Sequence, residues 1–500
     1  MTPQVLIVGA GPTGLVLALF LRHLSIPFRI IDKLSGPGQA SRAMVIQART
    51  LEFYRQIGFA DKCIDAGIKM RGIRLREQGK QIAGFRFDQI GDDISPYPFV
   101  LSLPQDDHEH LLVAELQALG VDIEWSTELT HCENHDSHVR TTLRNRSGDE
   151  TIDFRFLCAC DGARSTVRET LGFGFPGGTY DEVFYVTDVD ARGLEFDDSV
   201  NISVSKGTFI LAFPVRSKGS YRFIGIVPPD HPDPTKATFE DIRPIIRSQL
   251  NAEVQAVHWF SAYRVHHRVA QGFRRGSVFL SGDAGHIHSP AGGQGMNTGI
   301  GDAVNLAWKL AAVLEHRAAP EILDTYESER MGFARTLVDT TDRIFEAVVG
   351  PGVGPGFVRS VLFPFVFPLL LKSRAIRRAQ FRLVSQVRIQ YHSSALSRGK
   401  SGKLKGGDRL PWLLTHDNFA PLRSLDWQLH AFGSQSENTP RFAKTHNLAY
   451  SHFPFDSHAA DAGFSPTELY LVRPDGHIGL IASEEMEVHN YLRHWNIRAR

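Results

Sequence analysis

The first residues able to do recognisable chemistry are three glycines near the start of the chain. Gly9, Gly11 and Gly14 follow a short apolar run and precede apolar residues that recur at helical spacing. In this pattern the first glycine permits a tight turn, the second lets a pyrophosphate approach the backbone, and the third lets the helix pack on the strand. The N–H groups and the positive dipole end of the helix would face the phosphates. The spacing therefore predicts a dinucleotide site.

An acidic residue one strand further on narrows the choice of nucleotide. The apolar segment 28–31 predicts a second buried strand, which ends at Asp32. An aspartate there accepts hydrogen bonds from the adenosine ribose and repels the extra phosphate of NADP. With both strands and the acid in place, we prefer a site for FAD or NAD over a purely structural glycine turn. Neighbouring residues that we expect at the nucleotide are Pro12, Thr13 and Lys33.

Two further segments place glycines and polar residues at the ends of apolar strands. The segment 158–168, CACDGARSTVR, is an apolar strand that leads into the turn Asp161-Gly162. The segment 282–297, GDAGHIHSPAGGQGMN, follows the apolar strand 278–280 and precedes a helix that begins near Thr298. With the first glycine motif, and over roughly residues 3 to 345, these segments resemble the FAD-dependent aromatic hydroxylases, the single-component flavoprotein monooxygenases of the p-hydroxybenzoate, phenol and polyketide hydroxylase type.

The resemblance implies contacts along the whole of FAD. Asp283, at the carboxyl end of a strand, would accept a hydrogen bond from the ribityl chain. The backbone of 293–295 would face the pyrimidine edge of the flavin, where negative charge collects on reduction. Arg42 and Gln105 would complete the contacts to the phosphates and ribose, with a solvated loop cation as the alternative for Arg42. The implied cofactor-binding residues are Gly9, Gly11, Pro12, Thr13, Gly14, Asp32, Lys33, Arg42, Gln105, Asp161, Gly162, Gly282, Asp283, Pro290, Gly293, Gln294, Gly295, Met296 and Asn297.

Three residues are implied as catalytic candidates. Pro290 would lie over the ring near the carbon that carries the peroxide, because proline offers no N–H to trap that oxygen. Arg42 is the second catalytic candidate, and His288 is the third, as a proton carrier. His286 and His288 could instead form a metal pair, but no set of carboxylates and histidines accompanies them. We therefore expect these histidines to line the flavin pocket, and no metal.

The resemblance implies an NAD(P)H-consuming monooxygenase. Hydride from transiently bound NADPH or NADH would reduce FAD, O2 would add as a flavin hydroperoxide, and one oxygen atom would pass to an aromatic substrate, phenolic or polyketide-like. The single nucleotide fingerprint fits this family, whose reductant has no Rossmann domain of its own. Baeyer–Villiger oxidation and epoxidation on the same scaffold remain open, as does a non-oxygenase flavoprotein. The W-x-W-x-I-P segment of flavin halogenases is not found in the sequence.

A different texture between residues 183 and 227 indicates where a substrate would bind. Short alternating segments such as 201–204, 208–213 and 221–227, bounded by glycine, proline and charged residues, predict an inserted antiparallel sheet with one exposed face. Its side chains, and the facing segment 73–103, are candidates for the substrate pocket, with ordinary sheet packing as the alternative for each. The apolar candidates are Phe209, Leu211, Phe213 and Phe223, and the polar ones are Tyr185, Arg216 and Tyr221.

The predicted fold class is α/β, with three parts. Residues 1–75, 104–178 and 270–392 form a Rossmann-like FAD-binding domain with its long helices, and 76–103 with 179–269 form a mostly antiparallel sheet domain for substrate. Residues 397–500 resemble the thioredoxin-like tail of phenol and polyketide hydroxylases, through the segments 407–411 and 471–476. Within this part we predict strands over 427–432, 468–472 and 478–481 and a closing helix near 486–495. No cysteine follows Cys160, so a dithiol role is excluded and the tail would be structural or a contact surface.

Composition bounds the remaining possibilities. Fifty-five basic residues balance fifty-five acidic ones, so no global field draws the chain to nucleic acid or acidic lipid. Four cysteines, and an apolar strand that begins by Val5, favour a cytoplasmic protein, with a homodimer possible. The apolar segment 357–371, broken by Pro364 and Pro368, is shorter than the roughly 20 residues that cross a bilayer. We expect a buried helix pair there, with a surface membrane contact as the alternative.

Overall fold

The computed structural model describes residues 3–38, 43–86, 90–205, 208–228, 230–289, 293–349 and 373–500. At the centre lies a mainly parallel six-stranded sheet. Its strands, in spatial order, are β18 (Arg274–Arg275), β19 (Val278–Leu280), β12 (Phe156–Ala159), β1 (Val5–Val8), β2 (Phe28–Asp32) and β8 (Glu124–Trp125). Every residue of β1, β12 and β19 is buried, as expected for parallel strands covered on both faces. The predicted strands 5–8, 28–32 and 278–280 are confirmed.

Two long helices pack together over this sheet. Helix α1 (Pro12–His23) follows the glycine turn, and helix α7 (Gly295–Leu314) follows the segment 282–294. The helical spacing of apolar residues in 306–314 predicts an amphipathic helix that continues toward Tyr326. A helix over 306–314 is confirmed, but its amphipathic character and its continuation are wrong. All residues of α7 from Asn297 to Val313 are buried, and a short 3-10 turn at Pro320–Leu323 separates α7 from helix α8 (Asp324–Val349). The polar residues of α7 are paired inside the protein rather than solvated.

A second, eight-stranded sheet carries the region with alternating segments. It is antiparallel except where β14 runs parallel to β5. The spatial order is β20 (His286–Ile287), β17 (Glu253–Val269), β13 (Gly177–Arg192), β16 (Ser220–Ile226), β15 (Thr208–Pro214), β14 (Ser199–Ser205), β5 (Gly72–Glu77) and β6 (Lys80–Arg86). Helix α6 (Phe239–Leu250) covers one face, and separate apolar clusters lie on the other. The predicted strands 201–204, 208–213 and 221–227 are confirmed, but the sheet has no wholly exposed face.

The strand β20 links the two sheets through the motif 282–297. His286 and Ile287 pair antiparallel with Val269 and Arg268 at the end of β17. The strand β19 of the central sheet ends immediately before the same motif. The segment that follows β19 therefore becomes an edge of the second sheet, which brings the face of that sheet close to the start of α7.

A third region follows helix α9 (Arg374–Val384). It contains a four-stranded sheet in the order β24 (Ala449–Phe453), β23 (Gln428–Phe432), β25 (Leu469–Val472) and β26 (Ile478–Ala482), with β23 and β24 parallel. Helices α10 (Thr439–Thr445), α11 (Ser457–Ala462) and α12 (Glu485–His494) flank it. The predicted strands 427–432, 468–472 and 478–481 and the closing helix are confirmed within one or two residues. The strand β24 was not predicted.

Smaller elements complete the described chain. Residues 128–154 form a three-stranded antiparallel sheet of β9 (Glu128–Asn134), β10 (Val139–Asn145) and β11 (Gly148–Phe154). The remaining strands are β3 (Val45–Ile46), β4 (Ile68–Met70), β7 (Val100–Ser102), β21 (Lys400–Ser401) and β22 (Leu404–Lys405). The remaining helices are α2 (Ala48–Gln56), α3 (Ala60–Ala66), α4 (Gln105–Ala118) and α5 (Thr166–Thr170).

Within the part of the chain that the structure describes, no helix combines the length and the apolar character that a bilayer span requires. The apolar segment 357–371, for which we predict a buried helix pair, lies outside the described residues.

Candidate active site

The three glycines of the first motif have different surroundings. Gly9 has a φ of +104°, and a Cβ there would overlap the carbonyl oxygen of Cys160. A Cβ on Gly14 would overlap the carbonyl oxygen of Gly9. A Cβ on Gly11 would meet no described atom within 4 Å. Gly9 and Gly14 are therefore needed for the protein's own packing, whereas the side of Gly11 is open, as a cradle for a phosphate group requires.

The start of α1 is suited to an anion. Gly11 is its N-cap residue, and no side chain of the described residues caps the first turn. Pro12 occupies the first helical position, and the first turn contains no acidic residue. The N–H groups of Thr13 and Gly14 thus lie at the positive end of the helix dipole. No carboxylate within the first turn competes there with a phosphate.

Asp32 ties the end of β2 to the glycine turn. Its Oδ2 accepts a hydrogen bond from the N–H of Ala10 at 2.7 Å, and its Oδ1 accepts one from Leu34 at 2.8 Å. Each carboxylate oxygen can accept a second hydrogen bond, so capacity for ribose hydroxyls remains. The neighbouring Lys33 is exposed. The aspartate that we predicted from the sequence as a ribose ligand therefore also orders the turn that would hold the phosphates.

The turn Asp161-Gly162 lies beside the first motif. Gly162 has a φ of +78°, and a Cβ there would meet no described atom within 4 Å. Asp161 is half-buried, and its Oδ2 accepts a hydrogen bond from the N–H of Val167 at 3.3 Å, while its buried Oδ1 has no hydrogen-bond partner among the described residues. Burial raises the pKa of this carboxyl group. Arg168 donates to the carbonyl of Ala284 at 3.0 Å, which joins this motif to the third.

The third motif rests on a buried aspartate that sequence reasoning missed. Asp302 of α7 accepts hydrogen bonds from the N–H of Gly282 at 2.9 Å, from His286 at 2.7 Å and from Arg330 at 2.6 Å. Burial opposes ionisation of Asp302, but the charge of Arg330 and the bond from His286 outweigh it and lower its pKa. Because an ionised carboxylate only accepts, Nε2 of His286 carries a proton. Asp283, next to Gly282, is exposed, so its carboxylate is open to a ligand.

The start of α7 is held by amide side chains. Oδ1 of Asn297 accepts from the N–H of Gln47 at 3.0 Å and from Thr50 at 2.8 Å. Its Nδ2 donates to the carbonyls of Val45 at 2.8 Å and Gly293 at 3.0 Å. Asn297 thus orders the loop that was predicted to face the flavin.

Other predicted residues of this end of the site have protein partners as well. Gln294 accepts from Gln386 at 2.9 Å, and Met296 packs against the main core. Oε1 of Gln105, at the start of α4, accepts from the N–H of Ala43 at 3.3 Å. Ala43 directly follows Arg42, and both Arg42 and Pro290 lie outside the described residues. Gly293 has a φ of +62°, and a Cβ there would approach Cγ2 of Val45 to 2.5 Å.

His288 presents one ring nitrogen without a partner. Its Nδ1 lies 2.8 Å from the carbonyl oxygen of Ser289, so Nδ1 carries the proton and Nε2 carries a lone pair. The side chain is buried, and Nε2 has no hydrogen-bond partner among the described residues, nor does the buried hydroxyl of Ser289. Burial, with the nearby charge of His286, lowers the pKa of His288 to about 4. The ring is therefore a neutral hydrogen-bond acceptor at neutral pH.

The predicted substrate residues divide between the two faces of the eight-stranded sheet. Phe209 and Phe213 lie on the face opposite α6, and by strand alternation Leu211 lies there too. Phe213 packs in a cluster with Val45, which touches the loop at Gly293. The structure places the others in the buried cluster against α6: Tyr185, Tyr221 and Phe223.

A cavity of about 370 Å³ lies at one end of this sheet. Arg216 lines it and forms ion pairs with Asp106 and Asp188, the latter at 3.0 Å. Arg222, fully buried, also binds Asp188 and donates to the carbonyl of Ala43 at 3.1 Å. The charge of Arg216, a predicted polar contact for substrate, is thus already compensated by carboxylates.

Comparison with known proteins gives a consistent result. The model of the FAD binding domain family matches residues 2–341. The chain is 36% identical over 416 residues to 6-methylpretetramide 4-monooxygenase of Streptomyces rimosus, which is 79% of this chain and 71% of that one. It is 31% identical over 508 residues to a flavin-dependent monooxygenase of Mycobacteroides abscessus, covering 98% and 99% of the two chains. Among solved structures, the anhydrotetracycline hydroxylase OxyS of Streptomyces rimosus superimposes with a TM-score of 0.78 at 28% identity, over 99% of both chains.

Proposed function

Because the chain belongs to the family of FAD-dependent aromatic hydroxylases and is an FAD-dependent monooxygenase, we propose that it uses NADH or NADPH and O2 to oxygenate an aromatic, phenolic or polyketide-like substrate. The observation that carries the proposal is the contact between the start of α7 and the apolar face of the second sheet, through Val45. Bound FAD would supply hydride acceptance and oxygen activation. The protein's part is to hold the cofactor and to keep water from the reacting atoms.

The residues present fit FAD along its length. The open side of Gly11 and the uncapped start of α1 would hold the pyrophosphate, and Asp32 would accept from the adenosine ribose. Asp283 would accept from the ribityl chain, and the loop from Gly293 would meet the flavin ring. Arg42 and Pro290 stay predictions for the phosphates and for the reacting face of the ring.

The substrate would lie between the loop at Gly293 and the face of β15 and β16 that is opposite α6. Phe213 and Ile224 provide an apolar surface that reaches Val45, and Leu211 continues it along the strand. A flat, fused aromatic system buries more of such a surface than a single ring does, which favours a polyketide-like substrate. The two similar proteins of Streptomyces rimosus are named for 6-methylpretetramide and for anhydrotetracycline.

His288 would bind the reacting hydroxyl group of that substrate. Its Nε2 atom is buried beside the start of α7. A Cβ placed on Gly295 would lie 3.7 Å from this nitrogen, which is van der Waals contact. A histidine with a pKa near 4 is suited to accept a hydrogen bond from the substrate hydroxyl, which increases electron density on the substrate's aromatic ring. It is not suited to hold a proton at neutral pH.

The division of the chain follows the same proposal. We assign the central sheet to FAD, the eight-stranded sheet to substrate, and residues 397–500 to a thioredoxin-like unit. The mixed four-stranded sheet with flanking helices supports that last assignment.

The direct test uses the purified enzyme with isotopically labelled O2. We expect a yellow protein whose NAD(P)H oxidation is stimulated by one member of a panel of phenols and polycyclic aromatics, and a product that gains one labelled oxygen atom with its rings intact. A colourless protein that does not take up added FAD would contradict the cofactor assignment. A product with an expanded or opened ring would establish Baeyer–Villiger oxidation instead, and stimulated NAD(P)H oxidation without label in any product would contradict oxygen transfer.

A further inference from the structure

A line of buried hydrogen bonds joins the third motif to a distant part of the chain. The hydroxyl of Tyr391 accepts from Nη1 of Arg330 at 2.8 Å, and Nε of Arg330 donates to Asp302 at 2.6 Å. Asp302 in turn accepts from the N–H of Gly282 and from His286. Each of the side chains is at most 4% exposed. No link in this line passes through solvent.

The guanidinium of Arg330 depends on all of its partners. Besides Asp302 and Tyr391, it donates to the carbonyl of Thr298 at 3.1 Å, in the first turns of α7. A buried guanidinium that loses an acceptor must leave a donor unpaired or reorient. Reorientation would move the Nε–H group of Arg330 that donates to Asp302. Asp302 in turn holds the backbone of Gly282 by accepting from its N–H group.

Tyr391 is fixed by the C-terminal segment, which we define as residues 391–500. Its N–H donates to the carbonyl of Gly407 at 2.9 Å, and its ring lies 4.5 Å from the ring of His477. A Cβ on Gly407 would overlap the backbone of Tyr391, so these two residues of the C-terminal segment are in close contact. The hydroxyl that reaches Arg330 is therefore placed by the C-terminal segment.

A second contact from the C-terminal segment anchors α7 further along. Glu329 of α8 accepts from Lys309 of α7 at 2.8 Å and from Arg473 at 2.7 Å. Arg473 also binds Asp475 at 2.6 Å, and Asp475 accepts from Trp308 of α7 at 3.3 Å. The C-terminal segment thus holds both the first turns and the middle of the helix whose start would face the flavin.

We propose that the C-terminal segment positions the FAD site through Tyr391 and Arg330, so that the affinity for FAD depends on a hydroxyl group that does not touch the cofactor. These are positioning residues, since they act through Asp302 on the loop 282–286. The inference rests on the assignment of that loop to FAD. It gives a segment without a dithiol a defined task in cofactor binding.

The test compares two tyrosines that each lose one hydroxyl. Tyr391→Phe removes the acceptor of Arg330, whereas Tyr491→Phe removes an equally buried hydroxyl of the C-terminal segment that donates to the carbonyl of Leu396 at 2.7 Å. FAD is titrated into each apoprotein by flavin fluorescence, and thermal unfolding of the apoproteins is measured alongside. We expect Tyr391→Phe to raise the Kd for FAD roughly tenfold, from a lost hydrogen bond to a charged group, and Tyr491→Phe to leave it within about twofold.

Two further measurements separate positioning from general destabilisation. Binding and segment order are reciprocally linked, so FAD should slow amide hydrogen exchange at residues 387–396 more than in α12. If Tyr391→Phe does not fold, Arg330→Lys serves as the test in its place. Lysine keeps a charge for Asp302 but cannot reach three acceptors, so this variant should also weaken FAD binding. Equal Kd values for both tyrosine variants and the wild type, or an equal rise in both, would overturn the proposal. Undiminished FAD binding by Gly11→Asp would instead refute the FAD assignment itself.

Discussion

Replacement of Gly11 separates the binding of FAD from the stability of the protein. A Cβ at Gly11 meets no described atom within 4 Å, and the φ of −76° suits any residue. Gly11 is also the N-cap of α1, where aspartate and asparagine are favoured over glycine by a few tenths of a kcal/mol. Gly11→Asp and Gly11→Asn should therefore fold, and the apoproteins should unfold at or slightly above the temperature of the wild type.

The two variants should differ sharply in FAD affinity. An aspartate at Gly11 would place a carboxylate against the pyrophosphate, and two like charges about 4 Å apart repel by about 4 kcal/mol at an effective dielectric constant of 20. That energy corresponds to roughly a thousandfold rise in Kd. Asparagine has nearly the same shape without the charge, so Gly11→Asn should lose affinity only through the space that it occupies.

Equilibrium titration of apoprotein with FAD, followed by flavin fluorescence at low and moderate salt, measures both variants. The ratio of their Kd values isolates the effect of charge, and it should shrink as salt screens the repulsion. A ratio near one at low salt would refute the placement of the pyrophosphate beside Gly11. A marked fall in the unfolding temperature of both apoproteins would refute the claim that the side of Gly11 is open.

Three other outcomes are expected. Gly14→Ala should lower the unfolding temperature of the apoprotein, because its Cβ would overlap the carbonyl oxygen of Gly9, and soluble apoprotein with unchanged stability would contradict this. His288→Leu should weaken the binding of a phenolic substrate roughly tenfold but leave binding of its methyl ether unchanged, as measured by substrate titration of the flavin spectrum. Denaturant unfolding should show stability falling from pH 6.5 toward pH 4. Buried neutral histidines have pKa values below the ordinary 6.5, so only the unfolded chain takes up protons in that range. The free energy of unfolding should therefore fall by about 1.4 kcal/mol per pH unit for each such histidine. Burial lowers the pKa to about 3 or about 4 in His108, His288, His430 and His477, and a pH-independent stability between 6.5 and 5 would refute their neutrality.

Local sequence signals predicted the elements that hold the nucleotide motifs. The strand, glycine turn, helix and second strand of residues 5–32 were predicted because each depends on neighbouring residues: apolar runs, glycine spacing and helical periodicity. The strand Ala449–Phe453 was missed for a related reason. It lies at the edge of its sheet, with each of its residues exposed or only partly buried, so its sequence lacks the apolar run of a central strand.

The partners of polar side chains could not be predicted in the same way. We predicted Asn297 as a contact of the flavin, and the structure shows four hydrogen bonds between its side chain and the protein, three of them to residues about 250 positions away. Asp302 and Arg330 were missed because a charged residue in a helix normally faces water. Only the packing of α8 against α7 brings their charges together, and no local pattern encodes that approach.

The polar residues of α7 explain how a helix buried on all sides keeps one orientation. Alanine, leucine and valine contacts are non-directional, so they alone would tolerate a rotated or shifted helix. Asp302, Asn305 and Lys309 recur at spacings of three and four residues and therefore share one face, where each binds Glu329 or Arg330 of α8. Rotation or a shift by one residue would leave buried charges unpaired, which costs far more than the lost apolar contacts. The same pairing that fixes this register places the helix start at Gly295, beside the flavin end of the site.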